Sequence, residues 1–238
     1  GRKETHKTLG NLDYNKFDRQ KFVEKLQKRK KEGKPVFTGA YMVSGYQKYK
    51  GDNKIENISH LLQKISSQKD NVIKQLEEAE KFKSAYKKVK ELPGIGRFLA
   101  YQILVDLTYG LGKREKIIDL NQNEWAKAGP GAEKGLKKLI KDDKKFNEND
   151  IMKYLYENQE SYFSDLKEDF IFIKNYKGER KRLSLPDIQN CLCEFYKYDK
   201  IKNNNGRTRR KFDSQNSNNA DLRELYENAP EVSIQNIK

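Results

Sequence analysis

The sequence is poor in the residues that most chemistry needs. It has two cysteines, two histidines and one tryptophan in 238 residues. Cys191 and Cys193 stand two apart, and His6 and His60 lie far from them along the chain. That set cannot make a structural zinc site. The segment around the cysteines reads as helix, where side chains two apart diverge by about 200°, so a mutual disulfide is not expected. The expectation is buried free thiols in a reducing, intracellular compartment. Two histidines leave little room for triad chemistry. No G-x-x-x-x-G-K-[ST] loop, no G-x-G-x-x-G after a strand, no H-E-x-x-H and no G-x-S-x-G occurs, so neither a metal nor a cofactor is expected. Long apolar runs are missing too. No stretch of about 18 apolar residues could span a bilayer, and the start shows no apolar segment of the secretory type.

What is present is charge. There are 50 Lys and Arg against 35 Asp and Glu, a formal net charge of +15. Hydrophobic residues make up 35%, a low share that favours disorder, but 14 Tyr and 11 Phe argue for a folded chain. The combination reads as a thin aromatic core under a basic surface. Such a surface attracts anions, nucleic acid above all.

The fold class is mainly α. Residues 1–16 read as a flexible basic N-terminus, 17–202 as a single helical domain and 203–238 as a tail, basic and then acidic, with a short helix at 221–228. Phe17 to Lys31 reads as a basic helix. Gly33, Pro35 and Gly39 then break the chain, and Val36 to Val43 is a short apolar stretch that fits a strand or a buried loop-helix. Apolar residues from Ile55 to Val89 recur at helical spacing, split at Ser66-Ser67 and stopped by Pro93. Further helices are expected at 97–109, 132–140, 149–158, 162–170 and 186–198, with Pro186 in a first turn. Phe170 to Ile173 is the best strand candidate.

Four features carry functional information. Leu92-Pro93-Gly94-Ile95-Gly96 joins two helical patterns and has the form of a helix-hairpin-helix turn. Glycines there let the backbone turn tightly and approach a phosphate at the next helix start, with Arg97 beside it. Such contacts carry no sequence choice. An ordinary capped helix connection is the alternative. Gly129-Pro130-Gly131 precedes a helix carrying Lys134, Lys137 and Lys138, and reads as a second anion site or as a capped turn with a solvated basic face. Trp125 fits a core anchor better than a base-stacking platform. In Leu185 to Tyr198, Ile188, Leu192, Phe195 and Cys191 share one side. Gln189, Asn190 and Glu194 would then be partly buried, unless Glu194 and Lys197 line a pocket. Finally, residues 174–211 hold twelve Lys or Arg against four acids. Arg180, Lys181 and Arg182 form one run, and Arg207, Arg209, Arg210 and Lys211 the densest. These are the candidate DNA-binding residues.

The motifs P-x-F-T-x-x-Y (Pro35 to Tyr41), LPGIGRFLAYQILVDLTY (92–109), GPGAEKGL (129–136) and LPDIQNCLCEFYKY (185–198), in this order, resemble one family over residues 17 to 202. It is the 5-hydroxymethyluracil DNA kinase helical-domain family, also called α-glutamyl/putrescinyl thymine pyrophosphorylase. The resemblance implies a helix-hairpin-helix, DNA-glycosylase-like fold and an association with hypermodified bases in DNA. It also implies a candidate catalytic Asp119, in the place where the glycosylases carry theirs. A helix N-cap before Asn121 to Trp125 is the alternative for that residue. Phe98 occupies the position of the lyases' Schiff-base lysine, which argues against a covalent lyase. Lys48 and Lys50 stand where the family tends to carry an arginine, which loses bidentate phosphate geometry.

The chain is also similar in size and character to a small accessory subunit of a ciliate DNA adenine-N6 methyltransferase complex. That resemblance implies a partner methyltransferase, a nuclear location and no chemistry of the chain's own. The expected function is therefore double-stranded DNA binding as an accessory subunit of a DNA-modifying complex. The alternative is an enzyme acting on 5-hydroxymethyluracil-type pyrimidines in DNA, with Asp119, Glu194 and Lys197 in its site.

Overall fold

The computed structural model describes residues 3–10, 17–37, 51–109, 116–140, 146–165, 174 and 178–203. Among them are nine helices: α1 (Lys3–Leu9), α2 (Arg19–Lys31), α3 (Lys54–Ser66), α4 (Lys69–Glu77), α5 (Phe82–Glu91), α6 (Arg97–Leu107), α7 (Pro130–Leu139), α8 (Glu148–Ser164) and α9 (Leu185–Lys202). The β-structure among the described residues is one isolated antiparallel bridge, Lys174 to Arg180. The mainly-α expectation therefore holds. No described helix is long and apolar enough to cross a membrane. The strand candidate at 170–173, residues 38–43 of the apolar stretch, Lys48, Lys50 and the expected 221–228 helix lie outside the described residues. The chain divides into two compact units, Gly1–Leu104 and Val105–Lys238.

In the first unit, Phe22 and Leu26 of α2 bury against Ile55 of α3, with Leu9, Phe17, Val23, Val36 and Leu62 packed around them. Asn53 caps α3 by accepting from the Ile55 and Glu56 amides at 2.9 and 3.2 Å, which satisfies two otherwise orphaned donors. The N-terminal stretch contains α1. Cations on α2 hold it: Lys25 Nζ donates to the Leu9 carbonyl at 2.8 Å. Arg29 donates to Thr8 Oγ1 and to the Pro35 carbonyl, both at 3.1 Å. A cation at a helix C-terminus is also favoured by the helix dipole. The bonds to Leu9 and Thr8 join residues 16 and 21 apart in sequence, so no local pattern announces them.

The region from Val72 to Val89 forms two helices where one was expected. The apolar residues Ile73, Leu76, Ala79, Phe82 and Ala85 recur every third position. On an α-helix each such step turns the stripe back by about 60°. A continuous helix would swing Leu76 about 120° from the Phe82 stripe. Breaking at residues 78–81 buries Leu76 as well as Phe82, Ala85, Tyr86 and Val89. Phe82 and Tyr101 are fully buried, edge to face at 6.0 Å between centroids, a favourable aromatic geometry.

In the second unit α7 and α9 are closely packed. A Cβ on Gly131 would meet the Cys193 sulfur, and one on Gly135 would meet the Leu192 carbonyl oxygen. The two glycines are one turn apart, so they open a groove along α7 that lets the α9 backbone in. Leu136, Met152 and Leu185 are fully buried and Leu192 nearly so. Ser184 and Asp187 form a capping box at the α9 start, with Pro186 in the first turn as expected. Helix α8 runs unbroken where two helices, 149–158 and 162–170, were expected. Asn158 to Ser161 contains neither Pro nor Gly, and the buried Gln159 pairs with the Leu183 backbone in both directions, at 2.8 and 3.1 Å. Asn123 accepts from the Leu185 amide and Asn149 from the Ala126 amide, both at 2.9 Å. These amide pegs fix the irregular segment before α7.

Candidate nucleic-acid interface

The turn between α5 and α6 places the first group of candidate residues. Ile95 N–H donates to the Leu92 carbonyl at 3.2 Å, and Ala100 N–H donates to the Gly96 carbonyl at 2.9 Å. Gly96 is therefore the last residue before α6. Gly94 has φ +70°, a conformation that strains any residue with a side chain. A Cβ there would also lie 2.9 Å from Leu61 Cδ1. Gly96 is different, because nothing lies within 4 Å of where its Cβ would be. Gly94, Gly96 and Arg97 are all exposed. A helix start leaves backbone donors without intrahelical acceptors. A Ser or Asp at the cap would supply its own oxygen to them, whereas glycine leaves room for an outside acceptor such as a phosphate.

The second glycine start is built differently. Gly131 is half-buried against Cys193, and its missing side chain is explained by α7–α9 packing. Lys134 lies over the Tyr196 ring at 5.4 Å, and Lys138 pairs with Asp199 at 3.1 Å. Both lysines thus reach across to α9, while Lys137 is exposed. In the 174–211 stretch, Arg180 and Arg182 share the carboxylate of Glu160 on α8, at 2.6 and 3.7 Å. Arg182 also stacks over Tyr156 at 5.1 Å and donates to the Tyr156 carbonyl at 2.9 Å. Lys181 is exposed. Arg207, Arg209, Arg210 and Lys211 lie outside the described residues.

Of the three catalytic candidates, Glu194 and Lys197 lie together and Asp119 is in a different ion pair. Asp119 pairs with Lys116 at 3.1 Å, and its side chain is 91% exposed. The alternative, a helix N-cap before Asn121 to Trp125, is not what forms: Asn121 closes a short turn by accepting from the Asn123 amide at 2.9 Å. Glu194 and Lys197 pair with each other on the exposed side of α9. Asn190 is exposed as well, so of the three polar residues expected to be partly buried only Gln189 is. Trp125 is half-buried. Among the described residues no three His, Cys, Asp or Glu side chains group so as to hold a metal ion.

Sequence reasoning missed a polar group at the α9 start. Burial and the Asp187 charge push the Tyr109 phenol up, while Ser184 and Gln122 hydrogen bonds act the other way. Burial alone raises the Asp106 carboxyl. The only local signal was the Ser184-to-Asp187 capping spacing. Cys191 was expected to be buried, yet it is exposed and lines a shallow apolar groove with Leu139, Leu155 and Ile188. Burial of its inner side and the Asp187 charge raise its thiol above the usual range. The thiol is therefore protonated at neutral pH, and only the thiolate alkylates readily. Iodoacetamide should label Cys191 slowly at pH 7.5 and faster as pH rises past 9. Labelling at pH 7.5 as fast as a free tripeptide thiol would contradict this.

Comparison with known proteins agrees with the motif resemblance. A family model described as "5-hmdU DNA kinase, helical domain" matches residues 2–208. A 5-hmdU DNA kinase of Bacillus phage SP10 is 27% identical over 182 residues, which cover 73% of this chain and 28% of the phage protein. The chain thus spans little more than a quarter of that relative's length. No solved structure matches it. The match over 2–208, on a chain whose described residues are mainly helical and which carries the four motifs in order, establishes that this protein belongs to the 5-hmdU DNA kinase helical-domain family.

Proposed function

We propose that the chain is a DNA-binding module of a DNA-base-modification system and grips duplex phosphates without reading sequence. The observation that carries this reading is the contrast between two glycines in one turn. Gly94 is required by the fold, because its φ is positive and Leu61 lies against it. Gly96 has open space around it and sits at the cap of α6 with Arg97 next to it. A helix-hairpin-helix phosphate grip uses both properties. The net charge of +15 gives the steering field. The remaining assignment is an accessory role: the chain holds DNA for a partner enzyme, an adenine-N6 methyltransferase, in the nucleus. Asp119 lies in an exposed ion pair with Lys116, and Glu194 and Lys197 in another with each other, which supports a role without chemistry.

Duplex binding by the full chain, measured by fluorescence anisotropy across KCl concentrations, tests the grip. Log affinity should fall linearly with log salt, by about 0.9 per phosphate neutralised. Arg97→Gln should weaken all duplex sequences alike. Salt-insensitive binding would overturn the reading. Copurification tests the partner, and recovery without a methyltransferase would remove that part.

The phage relative's name favours a second reading, in which the chain modifies 5-hydroxymethyluracil-type pyrimidines. Incubation with nucleotide and 5-hydroxymethyluracil DNA, followed by nucleoside mass spectrometry, separates the two. A new nucleoside would favour the enzyme.

A further inference from the structure

We propose that the outer face of α2 is a second phosphate-binding surface for duplex DNA, a ridge formed by Lys21, Lys28 and Lys31. It rests on the duplex-DNA reading above and adds a site that the glycine turns do not include. Seven of the thirteen residues of α2 are Lys or Arg, with Glu24 its one acid. Three of the cations have work inside the unit. Arg29 and Lys25 hold α1, and Arg19 lies 3.3 Å from His60 on α3. Lys21, Lys28 and Lys31 are exposed. At about 100° per residue they fall within about 80° of one another, on the side away from Phe22 and Leu26. They extend over about 15 Å of helix, a length that meets several phosphates at one duplex charge per about 1.7 Å.

Two observations separate this ridge from an ordinary solvated face. Several lysines elsewhere in the unit are paired with acids, among them Lys7 with Glu4, Lys34 with Glu32 and Lys74 with Glu78. Among the described residues, no carboxylate lies within ion-pair distance of Lys21, Lys28 or Lys31; Glu24 is held by Gln20 at 3.0 Å, and Glu32 at the C-cap, which feels the Lys28 charge, is paired with Lys34. The helix dipole also fails to account for the whole ridge. It favours cations in the last turn, but Arg19 and Lys21 stand in a first turn that has no acid. A helix that accepts this self-repulsion is suited to a polyanion.

The test is duplex anisotropy with the full chain, comparing Lys21→Gln/Lys28→Gln/Lys31→Gln with a control, Lys7→Gln/Lys34→Gln/Lys74→Gln, that removes the same charge from paired positions. The ridge triple should lower the salt slope by about 3, at about 0.9 per contact, and weaken binding more than tenfold at low salt. The control should change the slope by less than one. Each single Lys→Gln should remove about one unit of slope, and the triple Lys→Arg should keep it, which separates lost contacts from lost folding. Equal losses in ridge and control would reduce the effect to net charge and overturn the ridge. An unchanged ridge triple beside a weakened Arg97→Gln would also overturn it, leaving the turn's grip intact. Failure of the wild-type chain to bind duplex DNA would remove both.

Discussion

Gly135→Ala should destabilise the Val105–Lys238 unit by about 2 kcal/mol, seen as a lower urea midpoint and a melting temperature down by roughly 5 to 8 °C. On an exposed helix face the same change would stabilise by about 1 kcal/mol, because alanine is the better helix former. Here the new methyl would run into the Leu192 carbonyl oxygen. A backbone oxygen has no rotamer to change, so α7 must move off α9. Gly131→Ala meets a sulfur instead. Its smaller loss should therefore be relieved in part by Cys193→Ala, whereas no side-chain change at 192 should rescue Gly135→Ala. If Gly135→Ala melts at or above the wild type, the close α7–α9 packing is wrong.

Gly94→Ala should cost about 2 kcal/mol in the Gly1–Leu104 unit. Holding a residue with a Cβ at φ +70° costs about 1–2 kcal/mol. The added carbon must also displace a methyl of the buried Leu61, 2.9 Å away. Gly96→Ala meets neither obstacle and should leave the melting temperature within about 2 °C of wild type, as substitutions away from such features usually do. Equal losses at the two positions would show that both glycines serve the fold alone.

How much of this was legible in the sequence depends on the range of the interaction. The helical class, the Ser66-Ser67 split, the Pro93 stop and Pro186 in a first turn follow from period and caps, which are local. The break at residues 78–81 was also encoded, in a three-residue repeat that no straight helix can bury on one side. Helix α1 was not legible. Its anchors are Lys25 and Arg29, 16 and 21 residues from the groups they bind, and nothing in residues 3–9 forecasts them. The GPGAEKGL motif was visible, but its glycines read equally well as an anion site and as a helix contact. Only α9 lying against them decides why they are small. The candidate site was legible at Leu92 to Arg97 because a turn is local. The opposed roles of Gly94 and Gly96 were not, since they depend on Leu61, more than thirty residues earlier.

The most direct test of the phosphate grip is duplex binding by the Gly96→Ala chain beside wild type, across salt, with melting temperature measured on the same samples. The account predicts an unchanged fold with affinity reduced about tenfold or more for every duplex sequence, because the methyl stands where a phosphate meets the α6 start. Wild-type affinity and salt slope in a normally folded Gly96→Ala chain would contradict it.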